Sequence, residues 1–146
     1  MPDFDSNSFK ALVLMNNEDK ATCEAIFHLL DFARVKAFKV MAGKDNSNFH
    51  YVVATPTGTG MLFSCGSFGD VEMYLGNFTL DTHTVSHIVR KLFALNKSFE
   101  YLVRFEDKRV KGGSHGFLIK DTLVDPTVMK AFQNAVIELQ AKIATV

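Results

Sequence analysis

Tryptophan is absent, cysteine occurs only twice and proline three times, and neither sign of charge is in excess, with sixteen basic and sixteen acidic residues. Each scarcity excludes something. Cys23 and Cys65 lie far apart and in no motif, so they build no disulfide framework. A balanced charge argues against a dedicated nucleic-acid binder, which carries a basic excess or face, and against an acidic mimic of DNA. No long run of one sign occurs. No segment reaches the roughly 20 apolar residues of a membrane-crossing helix, so no membrane partner is expected. The opening MPDFDSNSFK has neither the basic start nor the apolar stretch of a signal peptide. The expectation is a soluble, cytoplasmic protein with reduced thiols. Without repeats, low-complexity tracts or a Pro- or Ser-rich linker, residues 1–146 read as a single domain whose polar residues 1–7 are loose.

What is present is phenylalanine, fourteen of them, in a chain with 47% hydrophobic and 22% charged residues. A chain of 146 residues buries a substantial core without metals or disulfides. The rings belong either to that core or, in part, to an exposed recognition surface.

Hydrophobic periodicity divides the chain. SFKALVLM (8–15) is too short to separate strand from helix. Residues 16–36 predict a helix, with Asn17 as a cap and Ala25, Ile26, Leu29, Leu30 and Ala33 on one face. Three strand-like runs follow at 37–42, 48–55 and 60–66, joined by the turn sequences GKDNSN and PTGTG, which predicts consecutive antiparallel pairing. Residues 67–81 extend the third strand or begin a helix. A helix over 82–96 carries Val85, Ile88, Val89, Leu92 and Leu95, and Asn96 suits a left-handed end. From Phe99 the apolar residues alternate, predicting a strand over 98–107. Phe99, Tyr101, Val103 and Phe105 fall on one face, with Glu100, Leu102, Arg104 and Glu106 on the other. KRVKGG is a turn and 114–122 its partner strand. Residues 125–143 form a helix, with Asp125 as cap, Pro126 at its first position, and Val128, Phe132, Ala135, Val136, Leu139 and Ile143 buried. The expected class is α+β: an antiparallel sheet with helices packed on it, in the order α-β-β-β-α-β-β-α.

This order resembles the type III secretion chaperone-like fold. RKLFALN is similar to the second helix of that group, FEYLVRFED and HGFLIKDTLVD to its last two strands, and PTVMKAFQNAVIELQAKI to its final helix. Element order is shared over residues 17–144 and residue pattern over 87–144. The resemblance implies a chaperone-like protein that binds another protein and pairs with a copy of itself through its second or final helix.

Motifs for catalysis are missing. The candidate metal ligands are His83 and His87, four apart on one helix. Their H-T-V-S-H lacks the glutamate of H-E-x-x-H, so they read as exposed or capping histidines, and any third ligand must come from His50, Asp81 or elsewhere. TPTGTG and KGGSHG sit between strands rather than ahead of a helix, as hairpin turns and not phosphate cradles. SHGFLIKD faintly echoes an RNA-recognition strand, but Lys120 occupies the place of the second stacking ring, so nucleic acid is not expected. Cys23 has no neighbouring cation in sequence to lower its pKa, and no G-x-S-x-G elbow occurs. No catalytic residue and no cofactor is assigned.

The expected function is therefore a non-enzymatic protein-binding, chaperone-like or adaptor domain with a protein partner. Val52 and Leu102 are candidate contacts, each apolar on the polar-looking face of its strand, with Arg104 beside Leu102. Two alternatives stay open. One is a small-molecule or nucleotide-binding domain with weak catalysis, using His50, His83, His87 or His115. The other is a viral or mobile-element inhibitor of a host protein.

Overall fold

The computed structural model describes residues 4–106 and 116–145, with 104–106 described by backbone alone. Two helices come first, α1 (Ser6–Asn16) and α2 (Lys20–Lys36). Strands β1 (Lys39–Ala42), β2 (Asn48–Thr55), β3 (Gly58–Gly66) and β4 (Asp70–Met73) follow. Helix α3 (Thr82–Leu95) leads into a run of 3-10 turns (Lys97–Glu106), and the described chain closes with β5 (Gly116–Leu118) and α4 (Pro126–Thr145). The strands form one antiparallel sheet in the order β1-β2-β3-β4-β5. This is the α+β class that the periodicity predicts.

All four helices begin at an aspartate. Asp5 accepts from the Asn7 and Ser8 amides, Asp19 from Ala21 and Thr22, Asp81 from Thr84, and Asp125 from Thr127. In three of them a hydroxyl three residues on donates back: Ser8 to Asp5 at 2.8 Å, Thr22 to Asp19 at 2.6 Å and Thr84 to Asp81 at 2.7 Å. Each carboxylate thus satisfies amides that the first helical turn leaves free. Asn17, expected to cap the second helix, instead follows the end of α1, where its Nδ2 donates to the Val13 and Ser67 carbonyls. The ambiguous run 8–15 is helical because Phe9 and Val13 are four apart and both fully buried.

Alternate residues of the strands face the helices. Cross-strand pairing aligns Ala42, Phe49, Cys65, Val71 and Phe117 in one row, and Val40, Tyr51, Phe63 and Met73 in the next. The phenylalanines form a continuous cluster across this face. Phe49 meets Phe9 at 5.5 Å, Phe63 meets Tyr51 at 4.9 Å and Phe132 at 5.6 Å, and Phe117 meets Phe132 at 5.4 Å and Phe99 at 4.8 Å between ring centroids. Most of these pairs are edge-to-face, the arrangement favoured by ring quadrupoles. The predicted faces of α2 and α4 are buried in full, with Met129 added to α4. In α3, Leu95 departs from the predicted stripe and is 51% exposed.

The chief correction concerns the segment after α3. Residues 97–106 are not a strand but 3-10 turns. In that geometry residues three apart eclipse one another. Phe99 and Leu102 therefore share one side and are both fully buried, while Glu100 is exposed. Asn96 is extended (φ −155°) rather than left-handed. Its Oδ1 accepts from the Ser98 amide at 2.8 Å and its Nδ2 donates to the Asp121 carbonyl at 2.9 Å, which ties the start of this segment to the chain beyond β5. Of the strand expected over 114–122, the described part is strand at Gly116–Leu118, which pairs with β4, and a 3-10 turn at Ile119–Asp121. The uncertain stretch 67–81 supplies β4 and a short 3-10 turn, Leu75–Asn77. The KRVKGG turn and His115 lie outside the described residues.

Candidate functional site

Two of the sequence-derived binding residues are not on the surface. Leu102 is fully buried for the reason given above. Val52 lies on the sheet face opposite the aromatic core, in register with Lys39 and Met61, yet is only 4% exposed. Alternation placed Val52 on the correct face, but it is closed to solvent there. Both are corrections to the expected contact surface. The Arg104 side chain lies outside the described residues. His83 and His87 are exposed on α3. Among the described residues no group of three or more His, Cys, Asp or Glu is arranged to hold a metal ion.

The same outer sheet face carries a polar row that no motif announces. His50, Ser64 and Glu72 are direct cross-strand neighbours on β2, β3 and β4. Tyr74 follows β4 and bridges two of them: its hydroxyl donates to Glu72 Oε2 at 2.9 Å and lies 3.2 Å from Ser64 Oγ. Since the Tyr74 proton goes to Glu72, Ser64 is the donor of the other bond. Burial pushes the Tyr74 hydroxyl pKa up, and burial holds the His50 imidazole pKa below its ordinary value. His50 Nδ1 is buried without a partner. The Ser64 proton is therefore committed to Tyr74 and not to an imidazole base, so His50 and Ser64 do not form the hydrogen-bonded nucleophile–base pair of covalent catalysis. Sequence reasoning missed Tyr74 and Glu72 because β4 fell in the undecided stretch, and with them the partners that mark out Ser64 on β3. The available signal was Asp70-Val71-Glu72-Met73, a four-residue alternation.

Both cysteines are buried and free. Burial pushes both thiols up from their ordinary pKa, with nearby Asp19 and Asp70 adding to the effect on Cys23 and Cys65 respectively. Neither is an activated nucleophile.

The helical side offers grooves. Between α2 and α4 run two adjoining hollows of about 590 and about 520 Å³, which share Glu24, His28 and Gln133. The first is lined further by Phe27, Asp31, Phe32, Val35 and Lys36, the second by Leu123, Met129 and Lys130. Gln133 Nε2 is buried there without a partner. A third hollow, of about 390 Å³, lies between α3 and α4, with Leu92, Leu95, Ala131 and Ala135 in its walls and Lys91 and Glu138 at its rim.

Large apolar side chains are exposed on every helix and on β5, where Leu118 lines a hollow with Phe68. Leu14 and Met15 lie near the end of α1, and the adjacent Asn16 binds Ser67, next to exposed Phe68. Leu95 and Ile137 lie on α3 and α4. Val35 (77% exposed) and Phe38 (60%) lie where α2 gives way to β1, and Val35 also lines the larger hollow.

No described helix is long and apolar enough to cross a membrane. No family model matches the chain, and neither a curated protein nor a solved structure matches it.

Proposed function

We propose that the protein is a non-enzymatic binding domain, chaperone-like or adaptor in character, that acts on another protein. One observation carries the reading: the groove between α2 and α4 is lined at one end by exposed Val35, and exposed Phe38 follows three residues on, where α2 gives way to β1. Adjoining apolar surface left in water marks interaction sites, and a groove between two helices suits a partner segment inserting side chains. The committed proton of Ser64 and the raised thiols weigh against covalent catalysis. The test is an affinity capture from the native cell lysate with mass spectrometry. A single stoichiometric protein partner is expected; none retained by a well-folded bait overturns the reading.

Self-association belongs to the same proposal. The hollow between α3 and α4 has apolar walls with a lysine on one rim and a glutamate on the other, a charge pair that a second copy related by a two-fold axis complements. A dimer mass in light scattering at micromolar concentration is expected, and a monomer mass contradicts it.

A second reading, small-molecule binding, has one observation in its favour: the buried, unpartnered His50 Nδ1 on the outer sheet face. A thermal shift with one ligand class that disappears in His50→Ala supports it. A shift that persists in His50→Ala removes His50 from it.

A further inference from the structure

The chain is neutral as a whole, but its charge is not evenly spread. Between Arg34 and Lys44 the sequence RVKAFKVMAGK holds four cations and no acid. Arg34, Lys36, Lys39 and Lys44 are all exposed, and among the described residues none is in an ion pair; Arg34 donates to Ser6 Oγ at 3.1 Å. Val35 and Phe38 sit between these cations, exposed in water. The segment runs from the last turn of α2 through β1, the edge strand of the sheet, to Lys44 at the start of a 3-10 turn, Lys44–Asn46. Four cations that form no ion pair among the described residues flank two exposed apolar side chains, so positive charge and apolar surface lie together at this corner.

We infer that this corner, α2 running into β1, receives an acidic segment of the protein partner that carries at least one large apolar anchor. This inference rests on the protein-binding reading above and names the chemistry of the partner. The anchor packs on Val35 and Phe38 and enters the larger hollow, whose apolar lining comes from Phe27 and Phe32. Carboxylates on either side of the anchor meet Lys36, Lys39 and Lys44. Opposite potentials of this kind set register and association rate.

Two other anionic surfaces, a lipid headgroup layer and a nucleic-acid backbone, share the attraction for lysine. The same helix argues against both. Glu24, His28, Asp31 and Val35 are spaced as one stripe along α2, and all four line the hollow. The stripe is acidic toward the N-terminal end of α2 and meets the cations at the other end. A uniformly anionic surface laid along it brings its charge against Glu24 and Asp31. A peptide with its acidic residues at one end does not. The site therefore has a direction: the acidic end of the segment lies over Lys36 and Lys39, and its neutral or basic end over Asp31 and Glu24.

The test uses the full chain and three probes. A fluorescein-labelled peptide with glutamates flanking a leucine–phenylalanine anchor at one end and neutral residues at the other is titrated by anisotropy, beside the same peptide with lysine in place of glutamate. Vesicles containing phosphatidylserine are tested by co-sedimentation. The acidic peptide is expected to bind, and to bind at least about tenfold more weakly to Lys36→Glu/Lys39→Glu/Lys44→Glu. The affinity falls with salt, since screening shortens to about 3 Å near 1 M. Val35→Ser/Phe38→Ser also weakens binding, and because both side chains are exposed its circular dichroism stays that of the parent. Equal affinity of parent and triple variant for the acidic peptide, no binding of that peptide by the parent, or binding of vesicles in preference to it overturns the proposal. Lysate capture separates the two levels. A partner held by the parent and lost by the triple variant supports the site, a partner held by both leaves protein binding standing and refutes this surface, and no partner at all refutes both.

Discussion

Leu102 decides between two descriptions of residues 97–106. In a strand with period two it points away from Phe99 into the polar face. In 3-10 turns it falls beneath Phe99 and is fully buried. Truncation to alanine removes three carbons, each worth about 0.8 kcal/mol of transfer free energy. The cavity left in a packed aromatic core raises the cost to about 3–4 kcal/mol. Glu100, exposed two residues earlier, changes stability by less than about 0.5 kcal/mol when replaced by alanine. Urea unfolding followed by far-ultraviolet circular dichroism measures both. With a slope of about 1–3 kcal/mol/M, Leu102→Ala moves the midpoint down by about 1–4 M, while Glu100→Ala leaves it nearly in place. Equal small shifts for the two variants return Leu102 to the surface and refute the three-residue periodicity.

The capping aspartates predict an acid response. Hydrogen bonds from Ser8, Thr22 and Thr84 hold the carboxyls of Asp5, Asp19 and Asp81 below the ordinary aspartate pKa. A depressed folded pKa means stability that is fully present above the unfolded value of about 3.9 and lost as pH falls through the folded values. Thermal melts below that pH should show the loss, and the triple Asp→Asn variant, whose caps do not titrate, should show a shallower one; parallel curves reject the assignment. The buried, raised thiols predict that neither Cys23 nor Cys65 reacts with a maleimide in the native protein while both react in guanidinium, so rapid native labelling of Cys65 contradicts its place in the core. At Gly116, a Cβ would overlap the Val71 carbonyl oxygen. Gly116→Ala should therefore displace β5 from β4 and cost about 1–3 kcal/mol in urea unfolding, and an unchanged midpoint refutes that close approach.

Local chemistry made much of this fold legible. The faces of α2 and α4 follow from apolar spacing alone, because each helix lies on the core along its length. The Asp-x-x-Ser/Thr starts of α1, α2 and α3 are local as well, closed by hydrogen bonds within four residues. Strands β2 and β3 were readable because their turn residues separate two unambiguous apolar runs. The cations of 34–44 are visible in the one-dimensional string, although their exposure is not.

Tertiary structure decided the rest. The string FEYLVRF satisfies period two through Phe99, Tyr101, Val103 and Phe105, and period three through Phe99 and Leu102. In the folded chain Phe99 packs on Phe117 and Phe132, while Leu102 lies buried below it. β4 has only four residues, too few to declare itself, and exists because β3 and β5 satisfy its backbone on both sides. The row His50, Ser64, Glu72 arises from that pairing register and has no counterpart in linear spacing. Likewise the groove between α2 and α4 joins residues about a hundred positions apart, so its walls come into being only when both helices dock on one sheet. Sequence periodicity sets which face of each element is apolar; which element covers it, and which apolar residues stay in water, follows from how the elements pack together.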